Sequence, residues 1–212
     1  MQVLVIGATG ATGRRLVDRL VADGHEVRAM IRRSEQADDL EAAGANTVMG
    51  DVEGELLPAF EGAESVAFCA GSGAATGADA TLRVDLHGAV RCVDLCVELG
   101  IRRFVMLSSI AADDPLRGPE KLRHYLAAKH AADRILLASG LDATVVRPGG
   151  LTDDEPTGQV RIGVPRLEQR GSIPRGDVAA TMAACLRRPD TIGAVFEVVS
   201  GETPIERALG EL

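Results

Sequence analysis

The sequence predicts an α/β protein built on one doubly wound parallel sheet, three layers thick, with a small C-terminal extension. Three observations carry that prediction. Short apolar runs alternate with longer amphipathic stretches, the pattern of repeated βα units. The 212 residues fit one large domain, and 46% of them are hydrophobic, enough for a substantial core. The first apolar run passes directly into a glycine-rich turn and then a helical pattern.

Taken in order, strands are expected at residues 2–6, 26–31, 47–50, 65–70, 103–108, 143–147 and 194–199. Helices are expected at 11–23, 34–43, 80–99, 119–139 and 176–188, with a short one near 204–210. The Gly/Pro-rich stretch 148–174 breaks the alternation and reads as loops covering a substrate site, so residues 1–212 form one domain. No internal repeat or low-complexity segment interrupts it.

Composition narrows the function classes. A formal charge of −8 argues against a general nucleic-acid surface, although 21 arginines leave room for local anion sites. No run approaches a membrane span and no basic leader precedes residues 2–6, so the expected location is the cytoplasm, without membrane contact. Cys69, Cys92, Cys96 and Cys185 form no C-x-x-C, and Cys92/Cys96 stand at helical spacing, as reduced core residues do. His25, His87, His124 and His130 show no metal-ligand spacing, so no metal is expected. The clusters Asp113-Asp114-Pro115 and Asp153-Asp154-Glu155 read as solvated loop acids.

The turn Gly7-Ala8-Thr9-Gly10-Ala11-Thr12-Gly13 sits between strand and helix, where glycines permit a tight turn and close approach of a pyrophosphate to the helix N-terminus. That arrangement points to a dinucleotide, bordered by Gly7, Thr9, Gly10, Ala11, Thr12 and Gly13. A triphosphate loop would need Gly-Lys-Ser/Thr, and Arg14 follows Gly13 instead. At the end of the second strand, Ile31 is followed by Arg32 and Arg33, where NAD binders usually carry an acid. Two guanidiniums suit the 2′-phosphate, so NADP(H) is preferred over NAD(H). After the third strand, Asp51 could accept from the adenine amino group while Val52 packs on the ring.

Tyr125 is the only tyrosine, and it stands four residues before Lys129, one of two lysines. At this spacing a helix puts both on one face. An adjacent ammonium favours phenolate and lowers the phenol's pKa toward working pH, as general acid/base catalysis requires. A bare Y-x-x-x-K is short, and a partly buried tyrosine beside a solvated lysine reads the same.

Together, Gly7-x-x-Gly10-x-x-Gly13, Asp51, Cys69-Ala70-Gly71-Ser72-Gly73, Ser108-Ser109, Tyr125-x-x-x-Lys129 and Arg147-Pro148-Gly149-Gly150 resemble the short-chain dehydrogenase/reductase superfamily over nearly the whole chain. The glycine spacing and the length are most similar to its atypical, single-domain NAD(P)-binding members. The resemblance implies a Rossmann-type fold, with Tyr125 exchanging a proton with the substrate oxygen. Lys129 would hold the nicotinamide ribose and lower the tyrosine's pKa. Ser109 would polarise the same oxygen, with Ser108 the weaker candidate by register. It also implies that Ala70, Gly71 and Ser72 border the cofactor and that Pro148 helps place the nicotinamide. One departure is Asp85, where the family carries asparagine; a carboxylate there could pair with Lys129 or alter proton relay.

The expected activity is that of an NADP(H)-dependent oxidoreductase on a small substrate such as a quinone, flavin or carbonyl compound. A non-catalytic NADP(H)-sensing protein and a nucleotide-sugar epimerase or dehydratase are the alternatives. A homodimer through the helices at 80–99 and 119–139 is a further expectation, although packing on the sheet explains their apolar stripes equally well.

Overall fold

The computed structural model describes residues 1–73 and 76–212. Its first half alternates strand and helix: β1 (Gln2–Ile6), α1 (Ala11–Ala22), β2 (Glu26–Ile31), α2 (Ala37–Ala42), β3 (Asn46–Met49), α3 (Leu57–Phe60) and β4 (Ser65–Phe68). Next come α4 (Ala78–Ala80), a π-helical segment Thr81–Gly88, α5 (Ala89–Leu99), β5 (Arg103–Leu107), α6 (Arg123–Ala138) and β6 (Asp142–Pro148). The chain closes with β7 (Gly150–Thr152), β8 (Gln159–Gly163), β9 (Ser172–Pro174), α7 (Arg175–Arg187), β10 (Val195–Ser200), β11 (Thr203–Pro204) and α8 (Ile205–Leu209).

The main sheet runs β11-β8-β10-β6-β5-β4-β1-β2-β3. Its seven strands from β3 to β10 are parallel, and β8 and β11 add antiparallel at one edge. Consecutive strand residues point to opposite faces, so one strand feeds two cores. In β1, Val3 and Val5 join α1, α7 and α8 on one face, whereas Leu4 and Ile6 join α3, α5 and α6 on the other. That division makes the three-layer, doubly wound architecture expected from the sequence. Strand order reverses between β1 and β4, the position where such sheets open a crevice at their carboxyl ends.

One expectation needs correction. Stretch 148–174 is not loop throughout, because β7 and β9 pair with each other and β8 pairs with β10. The short runs of β7, β8 and β9 gain strand character from distant neighbours rather than from local alternation. The strand expected at 194–199 is β10, which lies inside the sheet between β6 and β8. The 80–99 helix also contains a π-helical stretch, within which Asp85 is 1% exposed. Among the described residues no helix is long and apolar enough to cross a membrane.

Candidate active site and dinucleotide cleft

A cleft of about 380 Å³ opens at the carboxyl ends of β1, β2 and β4. Gly7, Thr9 and Gly10 form its floor, Arg32 and Val52 one wall, and Ala70, Gly71 and Ser72 the other. Gly7 adopts φ +85°, and a Cβ on it would meet the Ala70 amide at 2.6 Å. A Cβ on Gly13 would fall 2.1 Å from the Gly7 carbonyl. Only glycine lets the turn fold this tightly against β4. The first-turn amides of α1, which lack intrahelical acceptors, begin at this floor and suit a pyrophosphate. A glycine cradle that side chains would fill, leading into a helix N-terminus, fits a dinucleotide.

Arg32 and Arg33 are exposed and form no ion pair among the described residues, while the Gln36 side chain accepts from both their amides at 3.0 and 3.1 Å. Only Arg32 lines the cleft. Asp51 does not; its Oδ1 accepts from the Glu53 amide at 3.0 Å and shapes the turn that brings Glu53 to the cleft. Ala11, Thr12, Gly13, Lys129 and Pro148 also stand outside this lining, Thr12 being buried beneath the turn. Met30, Glu53, Thr76, Ala80 and Val84 line it without having been singled out from the sequence, as does Cys69 of the Cys69–Gly73 motif. Met30 lies at the end of β2, whereas Ala80 and Val84 come from the helical segment after β4 and carry no local signal. Of the glycine-rich segment 72–77, residues 74 and 75 lie outside the described residues.

Beyond Ser72 the cleft meets a polar cluster. Asp85 Oδ2 accepts from the Ser72 amide at 3.0 Å, so this carboxylate holds the segment after β4, and of the two expectations for it the ion pair with Lys129 does not form. Lys129 is 2% exposed and rests with Nζ 5.8 Å from the Phe68 ring centroid. Ser108 is in the core, its hydroxyl donating to Asp133 Oδ2 at 2.8 Å. Ser109, whose hydroxyl donates to the Ile110 carbonyl at 3.2 Å, is the serine that interacts with Tyr125. The expected lowering of the tyrosine's pKa does not occur. Burial and then the Asp85 carboxylate push the phenol well above its usual range, Ser109 opposes them only in part, and Asp133 adds to the rise.

Of the two acid clusters, Asp153-Asp154-Glu155 is exposed as expected, whereas the one at 113–115 is not freely solvated. Asp113 is mostly buried and pairs with Arg166 at 2.9 Å, Asp114 accepts from the Leu116 amide, and Asp153 pairs with Arg175 at 2.9 Å. Buried Glu197 in β10 accepts from the amides of Ala111 and Leu167, tying the two loop regions beside the cluster.

The profile of the NAD(P)H-binding family matches residues 7–189. The chain belongs to that family. It is 44% identical to YhfK of Bacillus subtilis, named an uncharacterized sugar epimerase, with all of both chains covered. A Bacillus halodurans structure, named as a candidate NAD-dependent epimerase/dehydratase, superposes with a TM-score of 0.97 at 43% identity, covering 100% of each chain. The oxidoreductase ylbE of Lactococcus lactis gives 0.90 at 31% identity, over 100% of this chain and 96% of that one. The family member is therefore an NAD(P)-binding Rossmann-type domain with epimerase-like and oxidoreductase relatives.

Proposed function

We propose that this chain is an NADP(H)-dependent oxidoreductase that reduces a small quinone, flavin or carbonyl substrate, with Tyr125 as proton donor. The observation that carries the reading is the glycine cradle lined by Gly7, Thr9, Gly10 and Arg32, which leads past Ser72 to the polar cluster of Asp85, Ser109, Tyr125 and Lys129. Tyr125 holds its proton at neutral pH and would give it to an oxygen that gains charge as hydride arrives, with Ser109 hydrogen-bonding the same oxygen. The bound nicotinamide would supply the hydride. Gly7, Gly10 and the start of α1 would hold the pyrophosphate, Arg32 the 2′-phosphate, and Lys129 the nicotinamide ribose. The charge of Lys129 would also stabilise the phenolate left behind after transfer.

The names of two relatives favour a second reading, epimerase or dehydratase chemistry on a nucleotide sugar. Against it, the residues after β6 are woven into the sheet and its edge, leaving little chain for a separate sugar-binding lobe. Consumption of cofactor separates the readings. NADPH oxidation against a panel of flavins, quinones and small carbonyls is expected in the wild type and is expected to fall about 100-fold or more in Tyr125→Phe, the scale of a lost general acid. Tight NADPH binding without turnover would sink the reductase reading.

A further inference from the structure

Tyr125, Lys129 and Asp133 lie at i, i+4 and i+8 of α6, so the polar face that carries the proposed acid continues one turn deeper into the protein. Asp133 is fully buried. Its Oδ2 accepts from Ser108 Oγ at 2.8 Å and from Arg147 Nε at 3.0 Å, and Arg147 Nη2 also lies 2.9 Å away. Its Oδ1, equally buried, has no hydrogen-bond partner among the described residues. Arg147 is itself 6% exposed and comes from β6, so the pair joins α6 to the sheet with little water around it. Placing this pair inside a core is costly, and breaking one side of it is costlier still. A salt bridge that served only stability could be replaced by apolar side chains at no loss. A carboxylate with one committed and one free oxygen, a turn below a buried ammonium, suits an electrostatic role.

We propose that Asp133 is a positioning residue for the reaction argued above: anchored by Arg147 and Ser108, it supplies a fixed negative charge at the buried end of the helix face that carries Lys129 and Tyr125. This assignment rests on the reductase reading for its purpose, but its electrostatics can be measured without turnover. The groups facing this file are Asp85 from the π-helical segment, Cys69 after β4, Ser108 and Ser109 after β5, and Arg147 from β6. Among these, Asp85 and Asp133 raise the phenol's pKa and Ser109 lowers it, while Arg147 and Lys129 hold down the pKa of Asp133 against its burial.

The chain's single tyrosine makes the test residue-specific. Tyrosine is replaced biosynthetically by a fluorinated tyrosine, whose phenol ionises at lower pH, and its titration is followed by fluorine NMR. In Asp133→Asn the ionisation constant is expected to rise roughly tenfold, the scale of one charge removed at this range in a weakly screened interior. In Lys129→Met it is expected to fall. The alkaline limb of kcat/KM should move to lower pH in Asp133→Asn together with the titration. If Asp133→Asn does not fold, the doubly neutral Asp133→Asn/Arg147→Gln variant, which leaves no unpaired charge, is expected to show the same direction. An unmoved titration in a folded variant would overturn the assignment. A moved titration with no turnover on any substrate would support the electrostatic role of Asp133 and reject the reductase reading.

Discussion

Glu197 and Ala111 are joined by a hydrogen bond of 3.1 Å from the Ala111 amide to Glu197 Oε1, across 86 positions of sequence. Ala111 sits at φ 65°, a conformation that costs a non-glycine residue free energy and that this bond helps hold. The second oxygen of Glu197 accepts from the Leu167 amide at 2.8 Å, so one carboxylate fixes both loop regions flanking the polar cluster. Glu197→Gln turns one of those acceptors into an N–H facing an N–H. A loss of about 1–3 kcal/mol in urea unfolding is expected, with a higher KM and a smaller change in kcat. A variant as stable as the wild type would show that the carboxylate does not hold the loops.

Among the glycines, Gly13 and Gly24 should behave differently. The Gly13 Cβ would sit 2.1 Å from a backbone oxygen, so Gly13→Ala is expected to cost about 3 kcal/mol by overpacking and to abolish dinucleotide binding measured by calorimetry. Gly24 has φ +80° and nothing within 4 Å of an added Cβ. Gly24→Ala is expected to cost only about 1 kcal/mol of backbone strain and to leave binding intact. Equal binding by the two variants would refute the placement of the pyrophosphate over the first turn of α1.

Arg32 lines the cleft and Arg33 does not. A charge-assisted hydrogen bond contributes about 1.5–3 kcal/mol, so Arg32→Ala is expected to weaken NADPH binding by roughly tenfold to a hundredfold. Arg33→Ala should weaken it less, and NADH affinity should change little in either. An equal loss for both cofactors would show that neither guanidinium reads the 2′-phosphate.

Stability should fall in alkali. Burial pushes the thiols of Cys69, Cys96 and Cys185 from 9.0 up to about 12, and moves Cys92 in the same direction. For each group the folded state holds its proton more tightly than the unfolded chain. The associated stability is complete below about pH 9 and is lost as pH rises from there toward 12. Tyr125 adds to the slope above its usual pKa of 10.0. Urea midpoints measured from neutral pH upward should decline beyond about pH 9, and Cys96→Val should flatten the decline. Midpoints that stay level through that range would mean that the thiols are not buried as described.

Much of the fold was legible because its determinants are local. The apolar runs of β1, β2 and β4, the glycines at 7, 10 and 13, and the amphipathic stripe of α1 with Leu16, Val17 and Leu20 inward each act within a few residues. The Y-x-x-x-K spacing likewise marked one helix face. What escaped is what depends on distant parts of the chain. Strand β8 exists through its pairing with β10, and the π-helical turn around Asp85 has the same apolar spacing as an ordinary helix.

The sequence by itself determined the order of the seven parallel strands and the longer helices, the tight dinucleotide turn and the shared face of Tyr125 and Lys129, because backbone preference and side-chain periodicity operate over one or two turns. Only the tertiary structure decided where the carboxylates go. Asp85 holds the segment after β4, Glu197 clamps two loops, and Asp133 lies against Arg147 and Ser108. The raised pKa of Tyr125 follows from that placement, since desolvation and the Asp85 and Asp133 charges lift it.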